Sequence, residues 1–225
     1  MEKMKINLFI YLCLINFSCT HKISDINQII ESNDAGNYYL KEGKHNIKNT
    51  IKLPSNCTLI GNNTTLVFAN SNTFPVFDIT QKTNIKLKNI TFRGEKLANT
   101  RKKEVYSKYR YQYLFSMIKS SDLSFERCNF NNSYGTVLYI EDCNEIYINE
   151  CRFDTIGVCT ESGGIYSYDG IFIGGYTSSK NINITNCKFN CIGSLYESCN
   201  KPWPNDGDGI HLQSPGEIKN VVIEN

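Results

Sequence analysis

The sequence predicts an all-β chain folded as a right-handed parallel β-helix. Four stretches repeat the pattern apolar-x-apolar-x-x-Cys/Ile-x-Phe, and a fifth begins at Val221. Alternating apolar residues are typical of strands, and a fixed phase that recurs along a chain indicates a solenoid in which each copy belongs to one coil. The four copies are Ile85, Leu87, Ile90, Phe92; Leu123, Phe125, Cys128, Phe130; Ile146, Ile148, Cys151, Phe153; and Ile182, Ile184, Cys187, Phe189.

A shorter apolar run precedes each copy, at residues 76–79, 115–117, 138–140, 171–173 and 210–212. Identical positions stacked about 4.8 Å apart would form parallel sheets along the solenoid, with columns of Phe and Cys in its interior. The alternative is an antiparallel sandwich, although hairpin turn signals between the runs are weak.

Residues 1–19 are interpreted as an export signal. Lys3 and Lys5 precede an apolar run at residues 6–17, which is too short to remain as a membrane-spanning helix. Ser18 and Cys19 resemble a lipoprotein processing site at which Cys19 would be acylated, and plain secretory cleavage is the alternative. We therefore expect a secreted or cell-envelope protein whose membrane contact is limited to a lipid anchor at Cys19.

Residues 20–225 are predicted to form one β-helix domain, because no linker or change of composition divides them. A short helix with Ser24 as its N-cap is expected to cover the N-terminal end of the solenoid. Because Asn225 falls inside the fifth copy, we also expect the domain to be incomplete at its C-terminal end, with capping by another subunit as the alternative. The apolar face of the expected helix consists of Ile23, Ile26, Ile29 and Ile30.

The charge and the cysteines narrow the classes of partner and site. With 24 Lys plus Arg against 22 Asp plus Glu, the chain is nearly neutral, which argues against a nucleic-acid partner.

No CxxC pair is present, so a structural zinc site is not predicted. Three cysteines share one phase of the repeat and are predicted to form a buried column, namely Cys128, Cys151 and Cys187. One disulfide is plausible among the loop residues Cys159, Cys191 and Cys199.

Two coils carry the same motif just before the shorter run. Asp169-Gly170-Ile171 aligns with Asp208-Gly209-Ile210, which predicts that the two aspartates lie on adjacent coils with backbones about 5 Å apart. Carboxylates that close disturb each other's ionisation, and such pairs serve acid-base chemistry on sugars or bind Ca²⁺. Asp206 would add a third carboxylate. The alternative is that Asp-Gly only forms a tight turn.

The loops at residues 154–168 and 190–208 precede these motifs, and long loops on a rigid scaffold often carry binding residues. Trp203, the only tryptophan in the chain, lies between two prolines where a sugar ring could stack on it, with local packing as the alternative. Tyr168 is a second candidate for substrate binding. His211 is expected to point outward as an acid, a base or a hydrogen-bond donor, or only into solvent.

A third loop, residues 93–113, combines basic and aromatic side chains. Arg101, Lys102 and Lys103 precede Tyr109 by a few residues in the sequence. We expect this group to bind an anionic polysaccharide, because cations attract the negative charge of the polysaccharide and aromatic rings stack on sugars. The alternative is a solvated surface loop.

The residues from Tyr168 onward resemble the pectin-lyase-like β-helix superfamily, and within it most closely the polygalacturonase family of glycoside hydrolases. That family has Asn-Thr-Asp-Gly-Ile-Asp on one coil and Asp-Asp-Cys-Ile-Ala-Ile on the next, each followed by an Asn-Val-x-Ile-x-Asn-Cys strand. The resemblance implies that Asp169 and Asp208 take the places of the two aspartates that activate water. The family's general acid falls on Gly207, with Asp206 displaced by one residue, and its Gly-His-Gly and Arg-x-Lys motifs have no counterpart before Asn225.

Together these features predict an exported polysaccharide-active protein, a glycoside hydrolase of polygalacturonase type or a truncated relative, which needs no cofactor. One alternative is a uronate polysaccharide lyase, in which a Lys or Arg of the basic loop abstracts a proton and Ca²⁺ binds the aspartates. The other is a surface β-helix that only binds glycan or forms structure.

Overall fold

The computed structural model describes residues 26–68, 75–95, 113–133, 135–156, 169–192 and 208–224. These residues form strands and one short 3-10 turn, Asn27–Ile29, so the all-β prediction is confirmed. They contain no helix that is long and apolar enough to cross a membrane. The strands are β1 Ile30–Asp34, β2 Asn37–Leu40, β3 Gly43–Ile47, β4 Ile51–Lys52, β5 Cys57–Phe68, β6 Phe77–Asp78, β7 Thr83–Gly94, β8 Tyr113–Ile118, β9 Ser121–Glu126, β10 Asn129–Ser133, β11 Thr136–Glu141, β12 Asn144–Asn149, β13 Arg152–Ile156, β14 Ile171–Gly174, β15 Ser178–Thr185, β16 Lys188–Ile192, β17 Ile210–Leu212 and β18 Glu217–Glu224.

The strands pair in three parallel ladders. Ladder 1 runs β2-β5-β7-β9-β12-β15-β18, and ladder 2 runs β3-β5-β7-β10-β13-β16, so that the long strands β5 and β7 belong to both. Ladder 3 is a separate six-stranded sheet with the order β4-β6-β8-β11-β14-β17. Along the chain, β10 belongs to ladder 2, β11 to ladder 3 and β12 to ladder 1, and β13 then returns to ladder 2 beside β10. These strands therefore make one coil. Because these ladders are parallel, the antiparallel-sandwich alternative is wrong, and the arrangement is consistent with a β-helix-like solenoid.

The register reproduces the repeat that the sequence contains. Leu123 pairs with Ile146, Ile146 pairs with Ile182, and Ile182 pairs with Val221. In ladder 2 the column of phenylalanines, Phe92, Phe130, Phe153 and Phe189, stacks with ring centroids 4.8–5.3 Å apart. These columns belong to the hydrophobic core or pack against it.

The structure adds one earlier copy of the repeat, which sequence analysis missed. Cys57 pairs with Ile85, and Leu66 pairs with Phe92, but the register shifts between Ile60 and Thr64. The shift separates the two halves of the pattern by additional residues, so the fixed spacing of the other copies is lost here.

Five corners between ladders 1 and 2 are made by a residue other than glycine with left-handed backbone. These residues are Asn63, Asn89, Arg127, Glu150 and Asn186, with φ between 50° and 56°. Asparagine tolerates this conformation better than most residues, which explains three of the five positions.

The cysteine column follows this corner, as the sequence predicted. Cys128 and Cys151 are buried and Cys187 is half-buried, and none forms a disulfide. Each thiol donates to a backbone carbonyl of the preceding coil, Cys128 to Leu87 at 3.5 Å and Cys151 to Phe125 at 3.6 Å. A small side chain with a weak donor therefore fits this corner. Cys159 and Cys199 lie outside the described residues, as does the side chain of Cys191.

The expected N-terminal helix is wrong for the residues that the structure describes. Only Asn27–Ile29 form a turn, and β1 then pairs antiparallel with β2. Extended backbone at Ile30 satisfies the free edge of β2, and β-branched isoleucine favours that conformation. Ile23 and Ser24 lie outside the described residues.

Candidate active site

Asp169 and Asp208 precede β14 and β17 in ladder 3. Ile171 pairs with Ile210 in parallel register, and the Gly170 N–H donates to the Asp208 carbonyl at 2.9 Å. The structure therefore places the two Asp-Gly motifs side by side on adjacent coils. The preceding strands β13 and β16 extend to Ile156 and Ile192, so the loops begin later than the predicted residues 154 and 190.

The two glycines of the motif permit close packing. Neither has left-handed backbone, so backbone conformation alone does not require glycine at these positions. A Cβ on Gly170 would lie 2.7 Å from the carbonyl oxygen of Gly209 and 3.0 Å from the Phe189 ring. Because real Cβ contacts are not that short, the motif needs glycine at this position for Phe189 to pack beneath it.

Asp169 is buried, and one hydrogen bond holds its backbone while another holds its carboxylate. The residue is 5% exposed, its backbone N–H donates to Thr136 Oγ1 at 3.2 Å, and its Oδ1 accepts the backbone N–H of Asp208 at 3.2 Å. A buried carboxylate must be compensated by such hydrogen bonds. The second aspartate thus orients the first through its backbone.

His211 completes the cluster. Its Nδ1 lies 3.4 Å from Asp208 Oδ2 and 3.7 Å from Asp169 Oδ1. That nitrogen is buried and has no hydrogen-bond partner. The side chain follows the outward position of β17, as the sequence predicted, but it is only 30% exposed because it packs against the Phe172 ring.

These three side chains form the candidate active site, which we call the Asp169 cluster. One ligand atom from each lies within 4.8 Å of the others. Asp208 is 60% exposed whereas Asp169 is almost closed to solvent, so the cluster opens outward on the Asp208 side. Within the described residues it is the one group of three side chains that could hold a metal ion.

Sequence analysis missed the residues that support the cluster. Thr136 occupies, one coil earlier, the position that corresponds to Asp169 in the register, and its Oγ1 accepts the backbone N–H of Asp169. Tyr139 pairs with Phe172, and Phe172 pairs with His211, so three rings form a column on the outer face of ladder 3. The sequence signal was available, because each ring lies between two inward apolar residues of its short strand.

The other predicted site residues lie outside the described residues. They are Asp206, Tyr168, Trp203, Arg101, Lys102, Lys103, Tyr109 and the lipidation candidate Cys19. Their roles stay predictions.

The comparisons with known proteins concern the fold. No protein-family model and no curated protein sequence matches the chain. A crystal structure from Parabacteroides merdae ATCC 43184, of a protein described as a "putative glycosyl hydrolase", is similar to it with a TM-score of 0.53 and 15% identity. The similarity covers 84% of this chain and 81% of that chain. At this level of identity the similarity concerns the fold alone and fixes neither an activity nor a substrate.

Proposed function

We propose that this chain is an exported glycoside hydrolase of polygalacturonase type, built on a right-handed parallel β-helix. The handedness follows from the rule that crossovers between parallel strands are almost always right-handed. The single observation that carries the function is the Asp169 cluster, in which a buried carboxylate, an open carboxylate and an imidazole converge. The similarity to a structure with a glycosyl-hydrolase description is weak additional support.

The spacing of the carboxylates suggests how they share the work. Paired carboxylates that act on opposite sides of a sugar are about 5–5.5 Å apart in retaining enzymes and 6.5–9.5 Å apart in inverting ones. Asp169 and Asp208 offer oxygens within 4.8 Å of each other. Because the Asp208 N–H also binds Asp169 Oδ1, we infer that both carboxylates act on one side of the sugar and hold a water molecule between them, with the more exposed Asp208 taking its proton.

The general acid must then come from another residue. Asp206 is the nearest carboxylate in sequence and is proposed for this role. His211 would stabilise the negative charge of the two carboxylates, since its Nδ1 faces both of them and can donate a proton to either one.

A uronate lyase is the second candidate, and the donor set of the cluster disfavours its Ca²⁺-dependent form. Ca²⁺ takes six to eight oxygen ligands, whereas this cluster offers two carboxylates and a nitrogen. A binding protein without catalysis is the third candidate. Secretion and a lipid anchor at Cys19 belong to the same proposal.

The test is an assay of reducing-sugar release from polygalacturonate and other uronate polysaccharides, with ultraviolet absorbance followed in parallel. A hydrolase releases reducing ends without absorbance, whereas lyase products carry an absorbing double bond. Release without absorbance, unchanged by a metal chelator, supports the proposal. A folded sample that releases no reducing ends from any of these substrates would count against it.

A further inference from the structure

Ladder 2 carries a polar groove on its outer face, away from the Asp169 cluster of ladder 3. The groove has a volume of about 470 Å³ and crosses strands β3, β5, β7, β10 and β13. None of the cluster residues lines it. We call it the ladder 2 groove.

Two rows of outward side chains line the groove. Their inward neighbours, such as Leu66, Phe92, Phe130 and Phe153, are buried, and alternate residues of a strand point to opposite faces. One row contains a residue from each of five neighbouring strands. With a strand spacing of about 4.8 Å this row is about 19 Å long, which is enough for several sugar units. The first row is Lys44, Thr65, Thr91, Asn129 and Arg152, and the second contains Arg93, Asn131 and Asp154.

The groove has an excess of positive charge. Its one carboxylate, Asp154, is engaged by Arg152 at 2.8 Å and also accepts hydrogen bonds from Asn190 and Thr155. Within the described part of the chain, Lys44 and Arg93 form no ion pair. Two cations are therefore free to bind an anion. The hydroxyl-bearing Thr65 lies between their strands, and the amides of Asn129 and Asn131 follow on the next strand, β10.

We propose that the ladder 2 groove binds a glycan that bears carboxylate or sulfate groups. Free cations bind such groups by charge-assisted hydrogen bonds, and the Asn and Thr side chains suit the neutral hydroxyls of the sugars. The site goes beyond the proposed function, because it would hold the glycan whether or not the Asp169 cluster hydrolyses it.

A nucleic acid fits the groove less well. A protein that binds duplex backbone typically makes 6–10 phosphate contacts, whereas the groove has three cations, one of them paired with Asp154. Single strands bind by stacking on aromatic rings, and none of the lining residues is aromatic.

The test measures binding of fluorescent oligogalacturonate and of dextran sulfate of similar length to the full chain. The groove variant is Lys44→Gln with Arg93→Gln, and the matched control is Lys86→Gln with Lys180→Gln, which removes the same charge from the outer face of ladder 1. Asp169→Asn is included, because it separates this site from the proposed active site. We expect the groove variant to bind at least about tenfold more weakly, while the control binds as the wild type does. In an Asp169→Asn background the groove substitutions should cause the same loss.

The two probes show whether carboxylate or sulfate is preferred, and added salt should weaken both. The proposal is overturned if the groove variant binds like the wild type, if neutral dextran binds as well as the charged probes, if single-stranded DNA competes equally, or if neither charged probe binds. Loss of binding in Asp169→Asn alone would assign the glycan to the Asp169 cluster instead. Failure of hydrolysis with intact groove binding would reject only the proposed function.

Discussion

Two regions of ladder 3 use the same backbone position in opposite ways. In the earlier coils this position holds the buried apolar residues Leu114 and Val137. In the last two coils it holds Gly170 and Gly209, and the Phe189 ring fills the space that their missing side chains leave. The neighbouring position changes from Thr136 to Asp169 and Asp208. The sequence therefore repeats where only packing determines the residue, and it departs from the repeat where two carboxylates lie side by side.

The largest effect on stability is expected in the earlier coils, where the repeat is regular, and the phenylalanine column of ladder 2 tests this. Phe130 is fully buried and stacks on Phe92 and Phe153, so Phe130→Ala should lower the free energy of unfolding by about 3–5 kcal/mol. Urea unfolding followed by circular dichroism measures this. Phe189→Ala, at the same phase but half-buried, should cost less, and equal losses would show that the two regions do not differ.

A second pair of variants compares two isoleucines that occupy the same position of ladder 1 on different coils. Ile148 and Ile223 are linked through Ile184 in the register, yet Ile148 is fully buried and Ile223 is 52% exposed. We expect Ile148→Ala to cost about 2–5 kcal/mol, and Ile223→Ala clearly less. Urea midpoints of the two variants decide this, and a greater loss for Ile223→Ala would contradict the packing described here.

The glycine position can be tested directly. Gly170→Ala would place a Cβ 2.7 Å from a backbone oxygen, whereas in Gly209→Ala the nearest contact is 3.1 Å from the Phe189 ring. We expect Gly170→Ala to destabilise by about 1–3 kcal/mol through overpacking, and Gly209→Ala by less. Thermal unfolding gives the order, and an unchanged Gly170→Ala protein would remove the packing explanation of the motif.

A smaller effect is expected from pH. Burial raises the pKa of the Cys57 thiol from 9.0 to about 12. Above pH 9 the unfolded chain loses this proton while the folded chain keeps it, so stability falls as pH rises from 9 to 12. At pH 10 this thiol should account for a loss of stability on the order of 1 kcal/mol. Urea unfolding at pH 8 and pH 10 should show a smaller drop for Cys57→Val; an identical drop would refute the assignment to this thiol.

The fold could be predicted because the same phase recurs in four consecutive copies, from Ile85 to Phe189. Ile146 and Ile182 occupy one position of the pattern and pair in the structure. The copy that begins at Cys57 was missed since the shift between Ile60 and Thr64 breaks the fixed spacing. The N-terminal helix was predicted from isoleucine spacing, but pairing with the edge of β2 overrides that local pattern.

The site could be predicted in part. The neighbouring positions of Asp169 and Asp208 follow from the aligned Asp-Gly motifs, since equal phase places them on adjacent coils. The packing of Phe189 against Gly170 and the support from Thr136 depend on contacts between coils, which have no signature in the local sequence. The ladder 2 groove was missed for a related reason, because outward polar residues such as Thr91 and Asn129 look like any exposed face until the register aligns them.

The proposed catalytic role of the Asp169 cluster is tested by comparing the hydrolysis of polygalacturonate by Asp169→Asn and by Asp78→Asn. Both replace a carboxylate in or beside ladder 3 that accepts a backbone N–H, and asparagine keeps an acceptor oxygen, so both variants should fold. We predict that Asp169→Asn lowers the rate about 10²–10⁴-fold while Asp78→Asn leaves it unchanged. A folded Asp169→Asn protein that hydrolyses at the wild-type rate would contradict the account.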